Sequence, residues 1–388
     1  MSKPPVVDVD MSAFWQDPYP VLANMRSHSP IAFVPQTGSV WLTLRDDIVT
    51  SEKNVDVFSS SQPDGLMTQL MGHNLMRKDG MEHLRERQAM FPSVSPKTVR
   101  EQWVSQFEYE AHRLLDALEP KGHADLFFDY AMPLSGHALK VITGLTQVGA
   151  DDLDAWSQAM IAGIANYTGE DEPRRRCDLA TVAIDAAIDQ RIDALTVAPD
   201  SSMLSVLMKA GMAMPSVRAN IKLAISGGQN EPRDAIAGAT WALLKHPGQL
   251  AAVRAGDVSW NQVFDEYVRW IAPVGMSPRR VASQHDIRDI SLPAGQMVFL
   301  MFSSANRDES HFEQSDQFDI HRDARGHIGF GAGPHFCAGA AASRALVAQV
   351  GLPVLFDRLR HLRLRDEDPV KLGGWAFRGP LNLPVRWD

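Results

Sequence analysis

Apolar residues recur every three or four positions through much of the chain. Trp103, Phe107, Ala111, Leu114 and Leu118 share one helical face, as do Ile184, Ile188, Ile192 and Leu195. Strand signals are short and peripheral. Val40 to Leu44 alternates apolar residues, and Gln296 to Met301 follows the turn residues Pro293-Ala294-Gly295. The expected class is mainly α with a small β part. Without a Gly/Ser linker, a charge run or an internal repeat, residues 1–388 read as one large domain. One helical stretch, Pro215 to His246, is interrupted by Ser226-Gly227-Gly228-Gln229-Asn230-Glu231-Pro232-Arg233-Asp234. A proline in a helix interior costs about 3 kcal/mol, so the residues leave two readings: two helices joined by a loop, or one kinked helix whose opened turn lines a ligand site.

Composition narrows the class. With 45% hydrophobic and 22% charged residues over 388 positions, the chain can bury a large core, which excludes disorder, collagen and coiled coil. Its apolar stretches fall short of the roughly 20 residues of a membrane helix, and MSKPPVVDVDM lacks the basic and apolar regions of a signal peptide. A cytoplasmic protein without a membrane partner is expected. A net charge of -9 with no basic block argues against a nucleic-acid partner, since phosphate binding needs clustered Lys and Arg. The two cysteines, Cys177 and Cys337, lie far apart and do not suggest a disulfide framework.

Cys337 sits in the most informative segment, His327-Ile328-Gly329-Phe330-Gly331-Ala332-Gly333-Pro334-His335-Phe336-Cys337-Ala338-Gly339-Ala340, ahead of an Ala-rich helical stretch reaching about Leu355. A dinucleotide fingerprint fails because Phe336 occupies the place of its third glycine. Zinc fails because no second Cys or His pair completes a four-ligand set. A cysteine near a helix N-terminus is suited to the thiolate form, as nucleophile or as metal ligand; a small buried cysteine in a turn is the other reading.

The string Phe-Gly-x-Gly-x-His-x-Cys-x-Gly resembles the signature of the cytochrome P-450 family of haem-thiolate monooxygenases. That resemblance implies the P-450 fold around a buried haem b, with Cys337 as the iron ligand. It also implies that Phe330 packs near the sulfur, Gly331 and Gly333 let the loop lie against the porphyrin, His335 reaches a propionate, and Gly339 completes the cofactor motif. Three further elements are similar. Glu266 and Arg269, three apart on one helix face, resemble the family's Glu-x-x-Arg pair, and Arg322 its closing arginine. Their implied role is structural. His83 and Arg87 resemble the His-x-x-x-Arg helix that holds haem propionates, and Arg280 another propionate-binding arginine. With Asp17-Pro18-Tyr19-Pro20 and Leu383-Pro384-Val385-Arg386, the resemblance spans roughly Trp15 to Asp388.

One departure bears on chemistry. Where the family carries an acid and an alcohol that relay protons to dioxygen, this chain has Asn230 and Glu231. Burial raises a carboxyl pKa, which poises Glu231 to give and retake protons; pairing with Arg233 or another cation is the alternative. The string Gly227 to Asp234 resembles members that O-demethylate guaiacol- or syringol-like phenols. The implied reaction oxidises the methoxy carbon to a hemiacetal that collapses to a phenol and formaldehyde. Alternatives are hydroxylation of another small apolar substrate such as a terpene, or a peroxide-driven reaction; a haem sensor is disfavoured. Expected substrate contacts are Leu223, Gly227, Val274, Gly275 and Phe377, with Met67, Met71, Ile164 to Tyr167, Met276 and Trp375 as further candidates. Dioxygen and an external ferredoxin or flavin/iron-sulfur reductase complete the expected partners. Arg85, Lys97, Arg100 and Arg344 are the expected docking charges.

Overall fold

The periodic stretch around Phe107 forms the helix Val104–Leu118, preceded by a π-helical turn, Val99–Trp103; its apolar face buries Phe107, Ala111, Leu114, Leu115 and Leu118. The second periodic stretch lies in the longer helix Asp171–Val197, with Cys177, Ile184, Ile188 and Leu195 buried. These elements belong to a computed structural model that describes residues 2–388 except Tyr167, Thr168 and Asp366. The architecture is mostly helical with a small β part, as the apolar periodicity implies.

The chain divides into two units of interleaved segments. The first comprises the chain up to Ser61, Gly238–Cys337 and Val370–Leu381. Its main sheet runs in the order Ile31–Val34, Ser39–Leu42, Met297–Leu300, Ser277–Val281, Phe58–Ser59. Only the pairing of Ser39–Leu42 with Met297–Leu300 is parallel, with Val40 opposite Val298; the other pairings are antiparallel. These two strands are the ones expected from sequence, the first beginning one residue earlier and ending two earlier, the second shorter by one residue at each end. Buried Val40, Leu42, Ile48, Phe58, Val298 and Leu300 form one cluster around the sheet. Strand alternation puts adjacent Arg279 and Arg280 on opposite faces, and Arg279 is the buried one.

The second unit comprises Gln62–Ala237, Ala338–Pro369 and Asn382–Asp388. Helices dominate it, packed around a cluster that includes Leu70, Met71, Met90, Leu153, Cys177, Ile184 and Leu223. Burial of Cys177 there raises its thiol to about 11, which suits a packing role. The long interrupted stretch resolves as Met214–Ser226 and Asn230–Lys245, separated by residues 227–229. Pro232 is the third residue of the second helix, inside the first turn, where its missing N–H has no intrahelical partner to lose. The break therefore precedes the proline, and the glycines make it.

Candidate active site

The cysteine loop is built within the first unit. The Cys337 backbone N–H donates to the Phe330 carbonyl at 2.9 Å and closes the loop, while Gly331 and Gly333 take left-handed φ values of 73° and 63°. Gly333 also needs to be glycine for space, since a Cβ there would lie 2.8 Å from the Glu52 carbonyl oxygen. The Cys337 side chain is exposed. Phe330 sits among rings, with centroids 6.0 Å from Phe264 and 6.2 Å from Phe336. His335 Nε2 lies 3.1 Å from Ser60 Oγ. Arg280 stands on the strand Ser277–Val281, opposite Ser59.

Two residues that sequence reasoning missed support the loop. Glu52, at the end of the helix Arg45–Lys53, accepts the Ala332 N–H at 3.2 Å through Oε2, and through Oε1 it pairs with Arg279. The Arg279-Arg280 doublet on an alternating strand was the available sign that one of the two points inward. Glu52 itself gave none.

Glu266, Arg269 and Arg322 come together. Arg269 donates to both oxygens of Glu266 at 2.7 Å, and Arg322 Nε lies 3.5 Å from Oε1. Glu266 and Arg269 are wholly buried, so each remaining donor is used: Arg269 reaches the carbonyls of Asn306, Ser315 and Gln317 at 2.8–2.9 Å. The Asp319 N–H also donates to Glu266 at 2.8 Å, and Arg322 donates to the carbonyls of Glu313 and Gln314. The trio thus ties a helix to the segment that leads into the cysteine loop.

In the second unit His83 and Arg87 lie on the helix Gly80–Val94; His83 is buried and Arg87 half-buried. Gly339 caps the short helix Ala340–Arg344. Leu223 and Gly227 end one half of the interrupted helix, and Asn230 and Glu231 start the other. Asn230 Oδ1 accepts from Gln158 Nε2 at 2.7 Å. Glu231 is half-buried, yet its Oε2 is fully covered and has no hydrogen-bond partner among the described residues. Burial pushes this carboxyl up to about 7, and the neighbouring charge of Asp234 adds to the rise. The alternative pairing with Arg233 is not what forms: Arg233 donates to Asp154 at 3.0 Å and to Asp234 at 2.8 Å.

Comparison with known proteins gives a consistent result. The cytochrome P450 family profile matches residues 260–359, which hold the Glu266 to Arg322 trio and the cysteine loop. Cytochrome P450 monooxygenase PikC of Streptomyces venezuelae is 27% identical, over 100% of this chain and 95% of its own length. The steroid C26-monooxygenase of Mycolicibacterium smegmatis is 28% identical, over 93% of this chain and 90% of its own. The solved P450BioI, bound to an acyl carrier protein carrying hexadec-9Z-enoic acid, superposes with a TM-score of 0.88 at 24% identity, covering 97% of this chain and 100% of that one. The profile match, the full-length relatives and the fold all agree on cytochrome P450.

As a P450 it is a haem-thiolate monooxygenase, an oxidoreductase whose cofactor is haem b held through a cysteine thiolate. The donor chemistry fits that cofactor. Among the described residues no group of three or more His, Cys, Asp or Glu is placed to hold a metal ion. An exposed thiol with no disulfide suits iron whose other ligands would come with a porphyrin.

Expected P450 substrate contacts divide between the units. In the first, Val274 bridges Phe377, and the Gly275 N–H donates to the Ala376 carbonyl at 2.9 Å, which joins these candidates. Trp375 is engaged in packing: its ring lies 5.6 Å from Phe14 and 5.8 Å from Trp41, in a cluster that Met276 also contacts. In the second, Met67, Met71, Ile164 and Leu223 pack into one apolar cluster, and Tyr167 lies outside the described residues. Of the expected docking charges, Arg100 is within 3.5 Å of Glu101. The helix Gly80–Val94, which carries Arg85, also exposes Met81, Leu84 and Phe91, an apolar content that charge counting passed over. No helix among the described residues is long and apolar enough to cross a membrane.

Proposed function

We propose that this P450 O-demethylates a small methoxylated aromatic, a guaiacol- or syringol-like phenol, with Cys337 as the thiolate ligand of its haem. The observation that carries the reading is the covered Glu231 carboxyl at the break between two helix halves, titrating at about 7. By the resemblance Glu231 takes the place of the family's proton-relaying residues, and a group that exchanges protons near neutrality suits that role. The likeness of Gly227 to Asp234 to the O-demethylating members supports the substrate class. The relatives' names span different substrates and leave that choice to these residues.

Roles follow for the residues present. By the resemblance, Cys337 would hold the iron, Phe330, Gly331 and Gly339 would complete the haem-binding motif, and His83, Arg87, Arg280 and His335 would supply cationic or hydrogen-bonding partners for propionates. Glu266, Arg269 and Arg322 fix the segment ahead of the loop. Bound haem supplies the activation of dioxygen. By the same resemblance, Leu223, Gly227, Val274, Gly275 and Phe377 would orient the methyl group and exclude stray water, since apolar contacts give the ring no competing polar partner. Glu231 passes a proton from Oε2 and is reprotonated afterwards, with Asn230 beside it as a neutral hydrogen-bonding group. The balance is one methoxyarene, one dioxygen, two electrons and two protons giving a phenol, formaldehyde and water. The electrons come from an external ferredoxin or flavin/iron-sulfur reductase.

The test is turnover with NADH, a ferredoxin-type reductase and guaiacol or syringol, with a terpene as control. Formaldehyde and demethylated phenol in equal amounts are expected. Oxidation of the terpene alone, or ring hydroxylation without formaldehyde, overturns the substrate class. A thiolate-type carbon monoxide band that survives Cys337→Ala overturns the ligand assignment.

A further inference from the structure

The loop that bears Cys337 rests on a buried ion pair from outside it. Glu52 and Arg279 side chains are 1% and 3% exposed and pair directly, so two opposite charges are withdrawn from water beside this loop. Glu52 touches the loop in three ways. Its Oε2 accepts the Ala332 N–H at 3.2 Å, a Cβ at Gly331 would lie 3.1 Å from that oxygen, and a Cβ at Gly333 would lie 2.8 Å from its carbonyl. Arg279 is anchored independently, donating to Ser277 Oγ at 2.6 Å and to the Pro278 carbonyl at 2.9 Å. Its strand also carries Arg280, so one rigid element presents both arginines.

We propose that Glu52 and Arg279 are a charge-balanced positioning pair for the thiolate loop: Glu52 fixes the backbone at Ala332, and Arg279 cancels the carboxylate's charge near Cys337. The proposal rests on Cys337 being the haem ligand. Burying two charges is worthwhile only if each compensates the other, and removing one leaves the second uncompensated in a medium where its field reaches far. Such a charge near a metal shifts its reduction potential in a sense set by its sign.

The experiment compares haem-loaded wild type, Glu52→Gln, Arg279→Gln, the double variant and Arg279→Lys by carbon monoxide spectrum and by redox titration. Glu52→Gln leaves the Arg279 cation and raises the potential. Arg279→Gln leaves the Glu52 anion and lowers it. The double variant returns toward wild type, and Arg279→Lys, which keeps the charge, stays close to it. A purely structural role would move both single variants the same way, with joint loss of the thiolate-type band; that result overturns the proposal. Should a single variant fail to take up haem, the double variant and Arg279→Lys still decide: wild-type potentials support the pair, and potentials far from wild type refute it. A wild type with no thiolate-type band fails at an earlier point, by removing Cys337 as the ligand.

Discussion

Arg233 donates from Nη1 to Asp154 Oδ1 at 3.0 Å, and this bond decides what its neighbour Glu231 can do. The guanidinium also donates to Asp234 and lies 4.6 Å over the Phe127 ring, so its charge is engaged away from Glu231. Gln229 Nε2 donates to the same Asp154 oxygen at 3.1 Å, and Ser135 Oγ to the Gln229 carbonyl at 2.7 Å. The helix Ala150–Ile164, which carries Asp154 and Gln158, thereby holds the break and the first turn of the half that follows it. Burial of the carboxyl itself outweighs the lowering by its own backbone N–H and by the charge of Arg233, which is why Glu231 titrates near 7.

Turnover is expected to follow that titration. If Glu231 donates the proton, product formation falls as pH rises through about 7 and the protonated form is lost. Glu231→Gln should lower formaldehyde formation by roughly 10²-fold and remove this pH break, because an amide neither gives nor retakes a proton in this range. Steady-state rates from pH 5.5 to 8.5 for both proteins check it. An unchanged pH profile in the variant counts against the relay.

Stability gives a second, independent reading of the same carboxyl. A raised pKa in the folded state means that the native protein binds the extra proton, so stability falls as pH rises from the unfolded value of 4.5 to about 7 and then levels off. Replacing the carboxyl by a neutral amide removes the penalty. For the apoprotein, Glu231→Gln should be neutral near pH 4 and stabilising by up to about 3 kcal/mol at pH 8. Urea unfolding at the two pH values measures this difference, and equal stability at pH 8 would contradict the burial.

The helix Val104–Leu118 was legible because its apolar spacing needs no distant partner to make sense. The cysteine loop was legible through its unusual string of Gly, His and Cys. Its supports were not: Glu52 contacts Ala332 across 280 residues of sequence, and in a helix that also holds Asp46 and Asp47 it reads as one more surface charge. Asp154 was hidden in the same way, 79 residues from Arg233. The packing of Trp375 was hidden as well, since its ring contacts Phe14 and Trp41 lie more than 330 residues away in sequence.

The Glu266 trio predicts a graded effect. Arg269→Ala strands a fully buried carboxylate and leaves three carbonyls without their donor, which should cost about 3 to 5 kcal/mol and prevent recovery of haem-loaded protein. Arg322→Ala removes a longer, 3.5 Å contact from a carboxylate that keeps both Arg269 bonds, so folded protein should still be obtained. Thermal unfolding and the haem-to-protein absorbance ratio of the two variants separate these cases. Equal losses would mean that the Arg322 contact matters as much as the pair itself.

Gly228 and Pro232 stand four residues apart, and the structure ranks them opposite to propensity. Proline is the stronger helix breaker by about 2 kcal/mol over glycine, yet Pro232 lies in a first turn that spares it the penalty. Gly228 is the constrained residue: a Cβ there would meet the Ala224 carbonyl oxygen at 2.5 Å and the Leu139 side chain at 3.1 Å. Backbone cannot yield as a side-chain tip does, so the 227–229 turn would have to open. Pro232→Ala is therefore expected to change stability by less than about 1 kcal/mol, whereas Gly228→Ala should destabilise by about 1 to 3 kcal/mol. Opening the turn also moves Glu231, three residues on, so Gly228→Ala should alter the pH profile of turnover and Pro232→Ala should not. Denaturant unfolding together with that profile tests the pair, and the reverse order would place the break at the proline.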